Sequence, residues 1–208
     1  MIVLRFRPTT IMIMPNSKPT VFAAVLAAGS SSRFGSTKQA VLLDGIPLVR
    51  RAIDTAVRVC DNRVLAVIGH DADTVLAAID SEPCFIAINE DHGKGLGTSI
   101  ATAARACRGH ADALLLLLAD QPLVTPQHLR ALIDTWSGAD NVMVASSYSG
   151  TEGPPVLFPS VAFEALESLT GDRGAHALFD DRRFTLKTVP FEPAATDIDT
   201  PEDLAALV

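Results

Sequence analysis

Val21-Phe22-Ala23-Ala24-Val25-Leu26-Ala27-Ala28-Gly29-Ser30-Ser31-Ser32-Arg33-Phe34-Gly35-Ser36-Thr37-Lys38 is the stretch from which the fold can be read. Its first part, Val21–Ala27, is apolar without interruption. A strand with one wet face alternates apolar and polar residues, so an unbroken run implies burial on both faces, as in a parallel sheet covered by helices. The run ends in a loop rich in glycine and serine. Gly29 and Gly35 let the backbone turn tightly, and Ser30, Ser31, Ser32 and Ser36 keep it small. Such a loop can point successive N–H groups inward and hold phosphate oxygens. Arg33 and Lys38 add the positive charge that a phosphate chain needs. The loop follows the carboxyl end of a strand, which is where open α/β sheets bind ligands. The P-loop pattern G-x-x-x-x-G-K-[ST] and the dinucleotide pattern G-x-G-x-x-G are both absent from it.

The pattern continues outward from this stretch. Val64–Ile68, residues 84–88, Ala113–Leu118, residues 142–145 and residues 185–189 read as further strands. Between them, helical spacing or capping residues predict helices. The first begins at Pro47, with Leu48, Ala52, Ile53 and Ala56 on one face. Others span residues 71–79 (with Asp71 as N-cap), 97–107, Pro126–Trp136, 161–169, 174–179 and 201–207. Ala113–Leu118 is nearly all leucine, and six residues are too few for a core helix, so length decides for a strand. Alternating strands and helices predict a single-domain, Rossmann-like α/β fold. Its sheet is mostly parallel and twisted, with helices on both faces and right-handed connections. Residues 1–19 read as an N-terminal extension and residues 20–208 as the domain. Arg5 and Arg7 precede a short apolar stretch, but Pro15-Asn16-Ser17 offers no small-residue cleavage site. Met12 or Met14 could serve as the start.

Composition excludes several classes of function. With 208 residues, 48% hydrophobic and 20% charged, the chain can bury a core. A net charge of −7 argues against general binding of nucleic acid or an anionic membrane. No run approaches the ~20 apolar residues of a membrane span. Cys60, Cys84 and Cys107 are widely spaced and odd in number, as expected of reduced thiols in a cytoplasmic protein, with Cys84 and Cys107 in packing positions. Of the histidines, His92 lies near a motif, while His70, His110, His128 and His176 read as surface residues. None forms a metal-ligand pair. Ser30–Ser32 lack the elbow and acid–base partners of a nucleophile.

Two acidic segments bear on the chemistry. Leu114–Ala119 runs into Asp120-Gln121-Pro122, which puts a carboxylate at the tip of a central strand, where a hard cation could be held over a triphosphate. The segment Asp197-Ile198-Asp199-Thr200-Pro201-Glu202-Asp203 places Asp197 and Asp199 on one face if extended. Thr200 then reads as an N-cap with Pro201 at N1, which accounts for Glu202 and Asp203 as first-turn acids.

The loop Leu26–Lys38 resembles the signature L-A-A-G-x-S-x-R-[MF]-G-x-x-K of the molybdenum-cofactor cytidylyltransferase and guanylyltransferase group. That resemblance covers about residues 21–208 and implies a nucleotide-diphospho-sugar-transferase-like fold. It implies that Leu26, Ala27, Ala28, Gly29, Ser30, Arg33, Lys38, Gly97 and Ser99 bind nucleotide, with Arg33, Lys38 and Asp120 catalytic. Asp120 and Asp199, the latter favoured over Asp197, are implied as Mg²⁺ ligands. Gly95–Ile100 is similar to the group's glycine–serine turn. Gly153–Phe158 and Gly171–Ala175 are similar to its acceptor-side segments, which implies Gly153, Pro155, Gly171, Asp172 and Gly174 at the acceptor. Pro154 and His92 depart from the group's usual residues, and this bears on the acceptor. Ala28 matches the cytidylyltransferase form of the loop. The expected reaction is transfer of CMP from CTP to Mo-molybdopterin, with in-line displacement of pyrophosphate. The expected partners are CTP (or GTP), molybdopterin and, transiently, a molybdenum hydroxylase. Alternatives are a guanylyltransferase or another small-phosphate nucleotidyltransferase, and a non-catalytic cofactor chaperone.

Overall fold

The apolar runs become the centre of a seven-stranded sheet. In this computed structural model, residues 18–30, 34–35, 37–80, 82–172 and 174–207 are described. The strands and helices in chain order are β1 (Val21–Ala27), β2 (Leu42–Leu43), β3 (Ile46–Pro47), α1 (Leu48–Cys60), β4 (Val64–Ile68), α2 (Ala72–Ala78), β5 (Phe85–Ile88) and α3 (Leu96–Cys107). They continue as β6 (Ala113–Leu118), α4 (Pro126–Trp136), β7 (Val142–Tyr148), β8 (Thr151–Pro159), α5 (Phe163–Glu167), β9 (Thr185–Pro190) and α6 (Pro201–Ala205). The large sheet has the order β5-β4-β1-β6-β8-β7-β9, and β2 with β3 forms a separate small hairpin. Every strand of the large sheet runs in one direction except β8, which is antiparallel to both β6 and β7.

Period-two alternation splits each buried strand between two cores. Ala23, Val25 and Ala27 of β1 and Leu115 and Leu117 of β6 face α1 and α4, where they meet Val49, Ile53, Leu129, Leu132 and Trp136. Ala24, Leu26, Leu114 and Leu116 face α3 and α5, against Ile100, Ala104, Phe163 and Leu166. Leu114, Leu115 and Leu117 are at most 1% exposed. Each contributes roughly 1.5–3 kcal/mol by burial alone. This explains why a leucine run of modest strand propensity becomes a strand. The described residues therefore form one layered α/β unit, and none of its helices is long and apolar enough to cross a membrane.

The fold differs from the sequence expectation in several places. The strand β8 was not anticipated: Gly153-Pro154-Pro155 looks like a turn, yet Val156–Pro159 pairs with β6, and a bulge at Ala145/Ser146 absorbs the misfit with β7. The strand β7 continues to Tyr148. Helix α2 starts after Asp71, whose backbone is left-handed (φ 52°) and whose side chain caps nothing. Instead its carboxylate accepts a hydrogen bond from the Thr37 hydroxyl. Residues 160–167 form a 3-10 turn followed by α5, and residues 174–178 are 3-10. His128 is not a surface residue. It is 5% exposed, stacks on Phe191 with ring centroids 4.1 Å apart, and its Nε2 lies 2.7 Å from Ser146 Oγ. Burial lowers its pKa to about 4.

The topology also places the site. The neighbours of β1 are β4 on one side and β6 on the other, so the chain's progression through the sheet reverses beside β1. The carboxyl ends of strands at such a reversal leave a crevice.

Candidate active site

A cleft of about 470 Å³ opens at that reversal. Leu26, Ala28, Gly29 and Ser30 line it from the β1 loop, Lys38 and Gln39 from the following turn, and Asp120 and Asp199 from the β6 side. His92, Gly93, Gly95, Leu96 and Ser99 line it from the β5–α3 side, and Asp172 also reaches it.

Lys38 begins a 3-10 turn closed by Ala40 N–H to Thr37 O and Val41 N–H to Lys38 O. Its ammonium lies 2.7 Å from Asp120 Oδ2 and 2.8 Å from Asp199 Oδ1. Burial by itself would depress the Lys38 pKa, but the Asp120 and Asp199 carboxylates outweigh burial and leave it raised. These contacts span 82 and 161 residues of sequence. Two anchors make them possible. Ile198 is fully buried against Leu43 and Leu48, and its N–H donates to Asp120 O at 3.0 Å. A capping box then sets Asp199 in place: the Asp203 carboxylate accepts from Asp199 N–H at 3.0 Å and Thr200 N–H at 2.8 Å. The expected N-cap at Thr200 is thus present and also orients the site.

The donor set suits a hard divalent cation. Asp120 Oδ1 is buried without a hydrogen-bond partner among the described residues, and a carboxylate oxygen in that condition is unfavourable unless a cation or donor meets it. Of the three side chains Lys38, Asp120 and Asp199, two are carboxylates, the residue type that could hold such a cation. Asp197 lies beside them. Desolvation, then the negative charge of Asp120, raises its pKa to about 6. Gln121, next to Asp120 in sequence, donates from Nε2 to Ala194 O at 2.8 Å.

The opposite wall depends on glycine. Gly95 has φ +102°, and a Cβ there would lie 2.4 Å from Gly171 C and 2.5 Å from Asp172 Oδ1. Gly97 N–H donates to Gly171 O at 2.9 Å. The turn before α3 and the Gly171-Asp172 segment are therefore fitted together, and Asp172 reaches the cleft beside the N-terminus of α3, whose partial positive charge favours anions. Gly153 and Pro155 are buried and do not line the cleft. A Cβ on Gly153 would fall 2.2 Å from Tyr148 Oη, and Pro155 O accepts from Ser146 Oγ at 2.8 Å. Gly171 and Gly174 also lie outside the lining. Arg33, Ser31 and Ser32 lie outside the described residues.

Several contributors carry no motif. Gln39, 5% exposed, donates from Nε2 to Gly29 O at 3.0 Å and holds the loop. Asn89 donates to Thr98 Oγ1 and Ser99 Oγ, both at 2.9 Å, and orders the α3 entrance. A buried polar residue directly after a strand, as Asn89 is, was the available signal. Tyr148 had none, because only the unanticipated β8 brings it against Gly153, and Gln121 had none, because its partner Ala194 lies far along the chain.

A seven-stranded, mostly parallel sheet with this cleft defines the nucleotide-diphospho-sugar-transferase-like class of single-domain α/β proteins. The family model described as the MobA-like NTP transferase domain matches residues 23–187, and the chain belongs to that nucleotidyltransferase family. The purine catabolism protein PucB of Bacillus subtilis (strain 168) is 31% identical over 196 residues, which cover 89% of this chain and 94% of PucB. The crystal structure of the Rv0371c homologue from Mycobacterium sp. strain JC1 superposes with a TM-score of 0.80 at 28% identity, covering 92% of this chain and 98% of that one. Rv0371c of Mycobacterium tuberculosis H37Rv in complex with manganese gives 0.75 at 26% identity, with 90% and 97% covered.

Proposed function

We propose that this protein transfers CMP from CTP to Mo-molybdopterin, giving molybdopterin cytosine dinucleotide and pyrophosphate for maturation of a molybdenum hydroxylase. The observation that carries the reading is the convergence of Lys38, Asp120 and Asp199 at one end of a cleft that begins at the Ala28–Ser30 loop. Backbone N–H groups of that loop hold the triphosphate, and Arg33 and Lys38 offset its charge. An acceptor phosphate oxygen attacks the α-phosphorus in line, the bond to the β-phosphate oxygen breaks, and pyrophosphate leaves with its electron pair. The attacking phosphate is already ionised at neutral pH, so positioning and charge stabilisation suffice. Asp120 and Asp199 would hold Mg²⁺, which supplies positive charge to the phosphate oxygens. The manganese complex of a relative supports a divalent cation in this family.

Ala28 supports cytidine, through the resemblance of the loop. Asp172 forms the acceptor side with the α3 turn, held there by the Gly97 N–H to Gly171 O bond, whereas Gly153, Pro155 and Gly174 do not line the cleft. PucB is named for purine catabolism, a setting that suits a xanthine-oxidising molybdenum hydroxylase. Pro154 favours a second reading, the same chemistry on another small phosphate. Pyrophosphate release, measured for four triphosphates with and without Mo-molybdopterin or other phosphate acceptors, separates these. Release only with CTP and Mo-molybdopterin supports the first reading. Release with a different acceptor supports the second. Acceptor binding without release from any triphosphate means a chaperone.

A further inference from the structure

We propose that His92 is the side chain that sets the nucleobase preference of the cleft; this rests on the transferase reading and goes a step further. His92 opens a 3-10 turn, His92–Lys94, after β5. It lines the cleft, and its Nδ1 is buried with no hydrogen-bond partner among the described residues. A ring nitrogen in that condition is unfavourable as it stands, and a small turn of the ring into the cleft it lines would let a ligand group meet it.

Its position is built, not incidental. A Cβ on Gly69 would lie 2.7 Å from His92 Cβ, 3.0 Å from Ala28 Cβ and 3.0 Å from Asn89 O. The tips of β1, β4 and β5 therefore converge there, and glycine at 69 is what lets His92 approach Ala28. The loop is held at the same place by His70 N–H donating to Ala28 O at 3.3 Å. Because the sheet order is β5-β4-β1-β6, His92 and Asp120 stand on opposite flanks of the β1 loop. Roughly three strand spacings of about 4.8 Å separate those strands. The two flanks match the two ends of one nucleotide, with phosphates at Lys38, Asp120 and Asp199 and the base at Ala28, Ser99 and His92. A nucleobase edge offers ring N–H, amino and carbonyl groups, and imidazole Nδ1 meets a donor or an acceptor according to tautomer. Bases differ in that edge, so this contact discriminates among them.

The test is calorimetric binding of CTP, GTP, ATP and UTP, each with Mg²⁺ and without acceptor, to the wild-type chain, His92→Ala, His92→Gln and His70→Ala. Thermal melts establish that each variant is folded. The expected result is that His92→Ala weakens the preferred triphosphate about 10-fold and the others about 2-fold or less, so that preference collapses. His92→Gln keeps part of the preference, because an amide also donates and accepts, and it serves if His92→Ala fails to fold. His70→Ala removes only a tilted ring neighbour, 5.8 Å away between centroids, and keeps the preference. Equal weakening of all four triphosphates by His92→Ala overturns the proposal. So does a triphosphate profile that His92→Ala leaves unchanged. If the wild-type chain binds no triphosphate, the transferase reading itself fails, an outcome distinct from lost preference in the variants alone.

Discussion

Replacing Lys38 with alanine should weaken turnover and at the same time tighten binding of a divalent cation. The ammonium of Lys38 sits on Asp120 Oδ2 at 2.7 Å and Asp199 Oδ1 at 2.8 Å, so a cation held by the same carboxylates has to displace it. The side chains are 11%, 25% and 47% exposed for Lys38, Asp120 and Asp199. That puts the cluster between an exposed ion pair, at most about 1 kcal/mol, and a buried one, which costs roughly 3–5 kcal/mol to break. A value of about 2 kcal/mol for displacing the ammonium corresponds to about 30-fold in Kd. Mn²⁺ should therefore bind Lys38→Ala about 30-fold more tightly than the wild-type chain in the absence of nucleotide. Without metal the variant should melt lower, because the ion pairs of Lys38 with Asp120 and Asp199 are lost, and Mn²⁺ should raise its melting temperature more than it raises the wild type's. Turnover should fall on the order of 10²-fold or more, since a charge stabiliser is gone. Free Mn²⁺ followed by electron paramagnetic resonance during titration gives the affinity. Unchanged or weaker Mn²⁺ binding by Lys38→Ala would refute the idea that Lys38 and the cation share these carboxylates.

Other consequences can be checked with routine measurements. Gly95→Ala should cost roughly 1–3 kcal/mol, since it combines a φ of +102° with a Cβ 2.4 Å from Gly171 C; urea denaturation reads the loss. Gly153→Ala drives a Cβ to within 2.2 Å of Tyr148 Oη and should destabilise by roughly 1–3 kcal/mol, whereas adding Tyr148→Ala should recover part of that; strictly additive costs would argue against the contact. His128 has a folded pKa of about 4 against an ordinary 6.5, so only the unfolded chain takes up its proton between those values. Stability from this group is complete above about pH 6.5 and falls by about 3 kcal/mol as the pH drops towards 4, and His128→Gln should flatten the melting temperature over that window.

What the sequence discloses depends on how local the cause is. The boundaries of β1, β4, β6 and α4 could be read directly, because burial on both faces or a clean helical stripe writes itself into consecutive residues. The strand β8 was hidden because its pairing partners, β6 and β7, are what make Gly153-Pro154-Pro155 part of a strand. His128 could have been found: with Leu129, Leu132 and Trp136 it falls on the buried face of α4. In the site, Lys38, Asp120 and Asp199 carried legible motifs, and the structure adds that they meet. Asn89, Gln39, Tyr148 and Gln121 act by holding other residues, and such roles depend on contacts across the fold that no short pattern records.

The central claim is a metal-dependent transfer of a cytidylyl group at the Lys38–Asp120–Asp199 end of the cleft. It is tested most directly by following CTP labelled at the α-phosphate with Mo-molybdopterin and Mg²⁺, in the wild-type chain and in Asp120→Asn. The label should move into the acceptor with one pyrophosphate released per transfer, and Asp120→Asn should abolish the transfer while triphosphate still binds. Undiminished transfer by Asp120→Asn, or label that stays in CTP when both substrates are bound to the wild-type chain, would contradict it.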